Sequence, residues 1–343
     1  MIIRMQKPTL VRKDMDAVLQ TMVDEHIGPG GRTESFISQL KQYTMLDGTA
    51  VALRSLPEAL AYALRLFGVS RGDRVVVSAL SPNMYASVAA KIGCDLLIGD
   101  IDPSTGNLSY EEALKLCGQQ PKAILLYEPS GNFPFGKPWK DLGVPIIEDI
   151  TESLGSAYQD MKSGLCGDVA VCAFEESGII STGGGAVILS KNPALQEKLD
   201  GLMAAEISYA EMSDMNAALG IVQLTLVEKY IARRRSLFRT YQQALMRTKH
   251  RLFGIPDIDY DTNGYAFTVV LDSKAEDVMK FALKYEITTE RTFSGCLIGD
   301  QVDRFDLYPN ALPCMMRAIS FPLYPFLTNQ QAAQIEKVIS HLP

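Results

Sequence analysis

Residues 174–190 read FEESGIISTGGGAVILS, three glycines between two apolar stretches and behind two adjacent carboxylates, Glu175 and Glu176. A glycine run can cradle a phosphate. A P-loop, however, ends in Lys-Ser/Thr and opens a helix, whereas Gly183-Gly184-Gly185 leads into the strand-like AVILS. The dinucleotide fingerprint GxGxxG is missing, and no GxSxG elbow marks a hydrolase nucleophile. More carboxylates stand in VPIIEDITE, residues 144–152. Asp149 closes an apolar run, the strand edge at which α/β sheets present ligand-contacting side chains. An Asp at a strand end can also simply cap the turn that follows, and both readings stay open. The three histidines, His26, His250 and His341, lie far apart, and none of the six cysteines forms a CxxC pair. No metal site is expected. The thiols read as reduced and buried.

The elements that must position these residues follow from the apolar pattern. Runs at 50–53, 74–79, 95–100, 123–127, 145–149, 169–174 and 186–190 are continuous rather than alternating, as in strands buried on both faces of a mostly parallel sheet. Helical patterns lie between them. One covers 55–69, with Ser55 as N-cap and Pro57 in its first turn. A long pattern runs from about Asp214 to Met246 and carries Arg233-Arg234-Arg235, expected as a solvated face that pairs with acidic neighbours. A strand at 265–273 and helices at 274–287 and 328–342 suggest a smaller α+β domain. The chain divides in this reading into a large α/β domain, 1–235, and a small domain, 236–343.

The chain has 343 residues, 47% of them hydrophobic, and a net charge of -7. The acidic balance argues against a nucleic-acid binder. No run approaches the ~18 apolar residues of a membrane span, and the first residues do not read as a signal peptide. A soluble, cytoplasmic protein is expected.

Six stretches in order, among them HIGPGGRTESFISQLKQY, GVSRGDRVVVSALSP, GDIDPSTGNLSYEEAL, IIEDITESLGSAYQ and ISFPLYPFLTNQQAAQIEKVI, resemble the DegT/DnrJ/EryC1/StrS nucleotide-sugar aminotransferases over nearly the whole chain. The resemblance implies a fold-type-I α/β domain with a mostly parallel seven-stranded sheet and a small C-terminal α+β domain. It further implies pyridoxal 5'-phosphate (PLP) as cofactor and a homodimer whose sites form at the interface. PLP needs a lysine for its Schiff base, a carboxylate on the pyridine nitrogen and donors for its phosphate. Asp149 matches the family's pyridine carboxylate. Glu152 stands where the family often has Gln or His.

The other positions depart. Set against the family's SFNGNKIITTGGGG, AFEESGIISTGGGA places Gly178 at the lysine, next to Ser177, and no lysine occurs between Lys162 and Lys191. Ala173 replaces the serine before Phe174. In the family's SGTAAL, Ser55 is kept but Leu56 and Pro57 replace Gly and Thr, and Glu58 follows. Pro57 has no N–H to donate. The family's NYRM appears as Tyr209-Ala210-Glu211-Met212. Ser55, Asp149, Glu152 and Gly178 are expected to line one vestigial cleft, made acidic by residues 58, 152, 175, 176 and 211, with no covalently held PLP. Three readings follow: a binding, regulatory or partner subunit in nucleotide-sugar or polysaccharide metabolism; an active aminotransferase using a lysine from elsewhere or an active paralogue; or another acid–base activity through Glu152, Glu175 or Glu176.

Overall fold

The computed structural model describes residues 2–205, 210–255 and 257–343. The apolar runs form β1 (Thr49–Leu53), β2 (Arg74–Ser78), β3 (Asp95–Gly99), β4 (Ala123–Tyr127) and β5 (Ile146–Asp149). After a short hairpin, β6 (Ala157–Tyr158) and β7 (Met161–Lys162), come β8 (Val169–Ala173) and β9 (Ala186–Ser190). The sheet order is β1-β9-β8-β5-β4-β2-β3. Pairing is parallel from β8 to β3, while β9 runs against both β8 and β1, so β9 alone is reversed. Every residue of β4, β5, β8 and β9 is buried, which is why these strands are mostly apolar; Glu148 and Asp149 at the end of β5 are the charged exceptions.

Among the described residues, seven helices belong to this part: α1 (Arg12–Val23), α2 (Gly31–Thr44), α3 (Leu56–Leu66), α4 (Met84–Ile92), α5 (Tyr110–Cys117), α6 (Leu195–Ala204) and α7 (Asp214–Leu245). Ser55 caps α3 as expected, accepting the Glu58 N–H at 3.4 Å. The smaller sheet has the order β10 (Arg251–Leu252), β12 (Phe267–Val270), β14 (Ala318–Phe321), β13 (Glu290–Arg291), all antiparallel. β11 (Tyr260–Asp261) instead joins β6. α8 (Ala275–Lys284), α9 (Ala311–Arg317) and α10 (Asn329–Ile339) complete the fold.

α7 serves both cores. Its earlier turns put Ala217, Val227 and Ile231 under the large sheet, and its later turns put Leu237, Tyr241 and Leu245 into the core of the small one. The division expected after residue 235 thus falls inside a continuous helix. Ile3 also lies in the small core, donating its N–H to the Glu286 carbonyl at 2.8 Å and accepting from the Thr288 N–H at 3.0 Å.

The arginine triplet is not a solvated face. Arg234 is 4% exposed and its Nη1 donates to the carbonyls of Leu323, Tyr265 and Gly264. Arg235 donates to the Thr262 carbonyl at 2.7 Å, and Arg233 to that of Leu327. Helical spacing turns these side chains toward the strand-connecting loops, where unpaired carbonyls need donors; acidic partners are secondary. Five cysteines are buried and Cys117 is half-buried, all as free thiols. Among the described residues no helix is long and apolar enough to cross a membrane, and no metal-binding group of acidic, His or Cys side chains occurs.

Candidate functional site

β5 delivers Asp149 to the middle of the sheet's edge, where its register partner on β4 is Tyr127. Asp149 is 2% exposed. Its Oδ1 accepts from the Thr151 N–H at 3.0 Å and from the Thr151 hydroxyl, so the capping role is real. Its Oδ2 accepts from the Tyr85 hydroxyl at 2.7 Å. Thr151 in turn accepts the Ala173 N–H at 3.0 Å, which ties the carboxylate to the end of β8. Burial pushes the Asp149 carboxyl upward, against the pull of the Thr151 and Tyr85 donors. Burial and then the adjacent Asp149 hold the Tyr85 phenol well above its usual range, so it stays a donor.

Glu152 makes a second pair of the same kind. Its Oε1 accepts from the Tyr127 hydroxyl at 2.8 Å and its Oε2 from the Ser130 N–H at 2.6 Å. Burial raises its carboxyl to about 7; the two donors oppose the rise and the Asp149 charge adds to it. The Tyr85 and Tyr127 rings meet edge to face at 6.5 Å and 81°. Ser130 is held in the left-handed region, φ 55° and ψ 29°, which costs a non-glycine residue ~1 kcal/mol. Its N–H bond to Glu152 and its hydroxyl contact with Thr268 at 3.2 Å keep it there. From Thr268 the hydroxyl chain continues to Ser320 at 3.0 Å and Thr292 at 2.8 Å. A polar cavity of about 250 Å³ opens over this chain, walled by Glu152, Ser130, Ser177, Tyr265, Glu290 and Lys7.

Behind Asp149 lies a buried diacid. Glu148 on β5 and Glu128 just after β4 are both 0% exposed, and Glu128 Oε1 and Glu148 Oε2 have no other hydrogen-bond partner among the described residues. The Ser153 hydroxyl donates to Glu128 and the Gly167 N–H to Glu148 at 2.5 Å. Two buried carboxyls in contact cannot both be charged. Burial pushes both carboxyls upward, and the Glu148 charge adds to the rise at Glu128.

The glycine loop closes on Phe174, whose N–H donates to the Gly185 carbonyl at 2.9 Å and whose carbonyl accepts the Thr182 N–H at 3.0 Å. Gly183, Gly184 and Gly185 have φ of 75°, 121° and 104°, a succession that only glycine adopts cheaply. Gly178 is buried at the end of a turn made by its N–H and the Glu175 carbonyl, 2.9 Å. A Cβ at 178 would lie 2.6 Å from the Ile180 carbonyl oxygen and 3.2 Å from that of Glu175. No side chain fits at 178 unless the backbone moves.

The expected cleft is only partly assembled. Asp149 and Glu152 stand side by side, and Ser177 shares the cavity wall with Glu152. The Ser55 hydroxyl is engaged by its own helix, bonding the Glu58 carboxylate at 3.1 Å as well as the Glu58 N–H. Pro57 is exposed and Ala173 is buried without a hydroxyl to offer. The acidic residues do not converge: Glu175, Glu176 and Glu211 are exposed, and Glu211 borders a separate depression beside Arg54. Loop carboxylates gain hydration by pointing outward. Tyr209 lies outside the described residues. Sequence reasoning missed Tyr85, Tyr127 and Ser130. Tyr127 carried a usable signal, a polar-tipped aromatic at the carboxyl end of a buried strand; Tyr85 carried none beyond its helical spacing.

The model of the DegT/DnrJ/EryC1/StrS aminotransferase family matches residues 8–341. Similar proteins include a dTDP-4-dehydro-2,3,6-trideoxy-D-glucose 4-aminotransferase of Saccharopolyspora spinosa, 24% identical over 99% of this chain and 97% of that one. A GDP-perosamine synthase of Caulobacter vibrioides is 28% identical over 71% and 70%. In fold, a putative sugar aminotransferase of Streptococcus pneumoniae in its PMP form superposes with a TM-score of 0.89 at 19% identity, covering 99% of this chain and 97% of that one.

Proposed function

We propose, for a chain that belongs to the DegT/DnrJ/EryC1/StrS aminotransferase family, that PLP-dependent transamination has been lost and that the protein serves as a ligand-binding, regulatory or partner subunit. The family is one of sugar aminotransferases linked to nucleotide-sugar and polysaccharide biosynthesis, and its members' chemistry rests on PLP. The residues present here do not fit that cofactor. The observation that carries the reading is Gly178: it offers no amine, and its surroundings leave no room for a side chain. The engagement of both Asp149 oxygens and of the Ser55 hydroxyl by the protein itself supports it. The hydroxyl-lined cavity at Glu152 suits a hydroxyl-rich ligand such as the sugar of a nucleotide sugar. A homodimer is part of the reading, supported by the apolar stripe of Met15, Leu19 and Val23 on α1, which are 59–66% exposed.

Incubation with PLP followed by borohydride and mass analysis of the intact chain tests this. An unmodified chain is expected; a stoichiometric reduced adduct refutes the reading. One observation favours a second reading, in which an active aminotransferase takes its lysine from elsewhere: Lys7 lies in the cavity wall with Glu152 and Ser177. An adduct mapped to Lys7 would establish it.

A further inference from the structure

We infer that Tyr85 is a built-in occupant of the cofactor seat: its phenol takes the place at Asp149 that a pyridinium ring would need, and so closes that half of the cleft to nitrogen heterocycles. The inference rests on the reading above and explains how the site stays stable without the cofactor.

A carboxylate can hold a pyridinium N–H only if a lone pair faces a space large enough for the ring. Asp149 is 2% exposed, its Oδ1 is held by Thr151, and its Oδ2 receives the Tyr85 hydroxyl. Tyr85 is 1% exposed and ranks among the largest fully buried side chains, so the space beside the carboxylate is filled by its ring. The phenol also does the electrostatic work. A buried carboxylate without a donor is costly, and the hydroxyl supplies the hydrogen bond that a protonated heterocycle would otherwise give. The ring is fixed from both sides. α4 is anchored at its start by the Asn83 N–H to the Gly295 carbonyl at 2.8 Å, and Tyr127, edge-on to Tyr85, is pinned by its own bond to Glu152. Swinging Tyr85 away would leave Asp149 Oδ2 without its donor and open a hole in the core. The Glu152 cavity, whose wall does not include Asp149, is the part of the cleft left for a ligand.

The test uses pyridoxamine, which has the ring nitrogen but no aldehyde or phosphate, so neither the missing lysine nor the altered Ser55 region affects the result. Binding to the full chain is measured by calorimetry and thermal shift for the wild type, Tyr85→Ala and Tyr85→Ala/Asp149→Asn. An aromatic side chain removed from a buried site leaves a cavity able to take a small aromatic molecule. The expected result is no saturable binding to the wild type, a gain of about tenfold or more in Tyr85→Ala, and loss of that gain in the double variant. A wild type that binds within about threefold of Tyr85→Ala overturns the inference, as does a folded Tyr85→Ala chain that gains nothing. If Tyr85→Ala does not fold, Tyr85→Thr carries the same expectation, and saturable binding to the wild type alone still refutes it. The borohydride assay reads only the proposed loss of transamination, so the two ideas fail separately.

Discussion

Replacing Glu152 by Gln should remove a defined part of the pH dependence of stability. The Glu152 carboxyl is raised from 4.5 to about 7, chiefly by burial. A raised carboxyl favours the folded state while protonated. Its contribution is complete below pH 4.5, declines between 4.5 and about 7, and is gone above. At ~1.4 kcal/mol per pH unit the ceiling is ~3 kcal/mol. Glu152 is partly exposed to the cavity, so screening reduces the expected change to ~1.5 kcal/mol. Gln preserves both bonds: its carbonyl accepts the Ser130 N–H and its amide donates to the Tyr127 oxygen. Urea denaturation of both chains from pH 4 to 9 is the assay. Other buried acids contribute to both curves alike, so the quantity read is their difference, which should move in favour of Glu152→Gln by about that amount between pH 4.5 and 7. A difference that stays flat across this window would refute the assignment of the shift to burial.

Glu128→Gln should likewise lessen the loss of stability as pH rises, because an amide beside Glu148 carries no proton that alkali can remove; its curve in the same urea titration should fall less than the wild type's, by ~1 kcal/mol or more at the alkaline end. Arg234→Ala leaves three carbonyls without their charged donor and should cost ~3 kcal/mol or more, read from the same titration at pH 7. Gly178→Lys should cost ~2 kcal/mol through the clash with the Ile180 carbonyl and still give no borohydride-fixed PLP; a fixed adduct would show that the lysine alone was missing.

Strands buried on both faces announced themselves as unbroken apolar runs, and the ends of β4 and β9 fell where the pattern placed them. The Ser55 cap and the absence of a lysine near the glycine loop depend on local chain alone and were equally legible. What failed was whatever depends on which way a side chain turns. Arg234 reads as surface charge until three carbonyls from distant loops are brought to it. Glu175 and Glu176 read as cleft residues because their neighbours in sequence are. Tyr85 went unremarked in the sequence; it is buried, and its hydroxyl's 2.7 Å contact with a residue 64 positions away is what gives it a role.

Ile3 sits in a core otherwise built from residues beyond 236. During synthesis the segment that carries it is made about 280 residues before its partners at 286 and 288. The large sheet, complete by Ser190, can condense while the ribosome is still working, whereas the small core must wait for residues beyond 288. This is the kind of long-separation contact that slows folding and prolongs exposure of apolar surface. A bulky group fused ahead of Ile3 would therefore weigh on the assembly of the small core, long after the large sheet has formed.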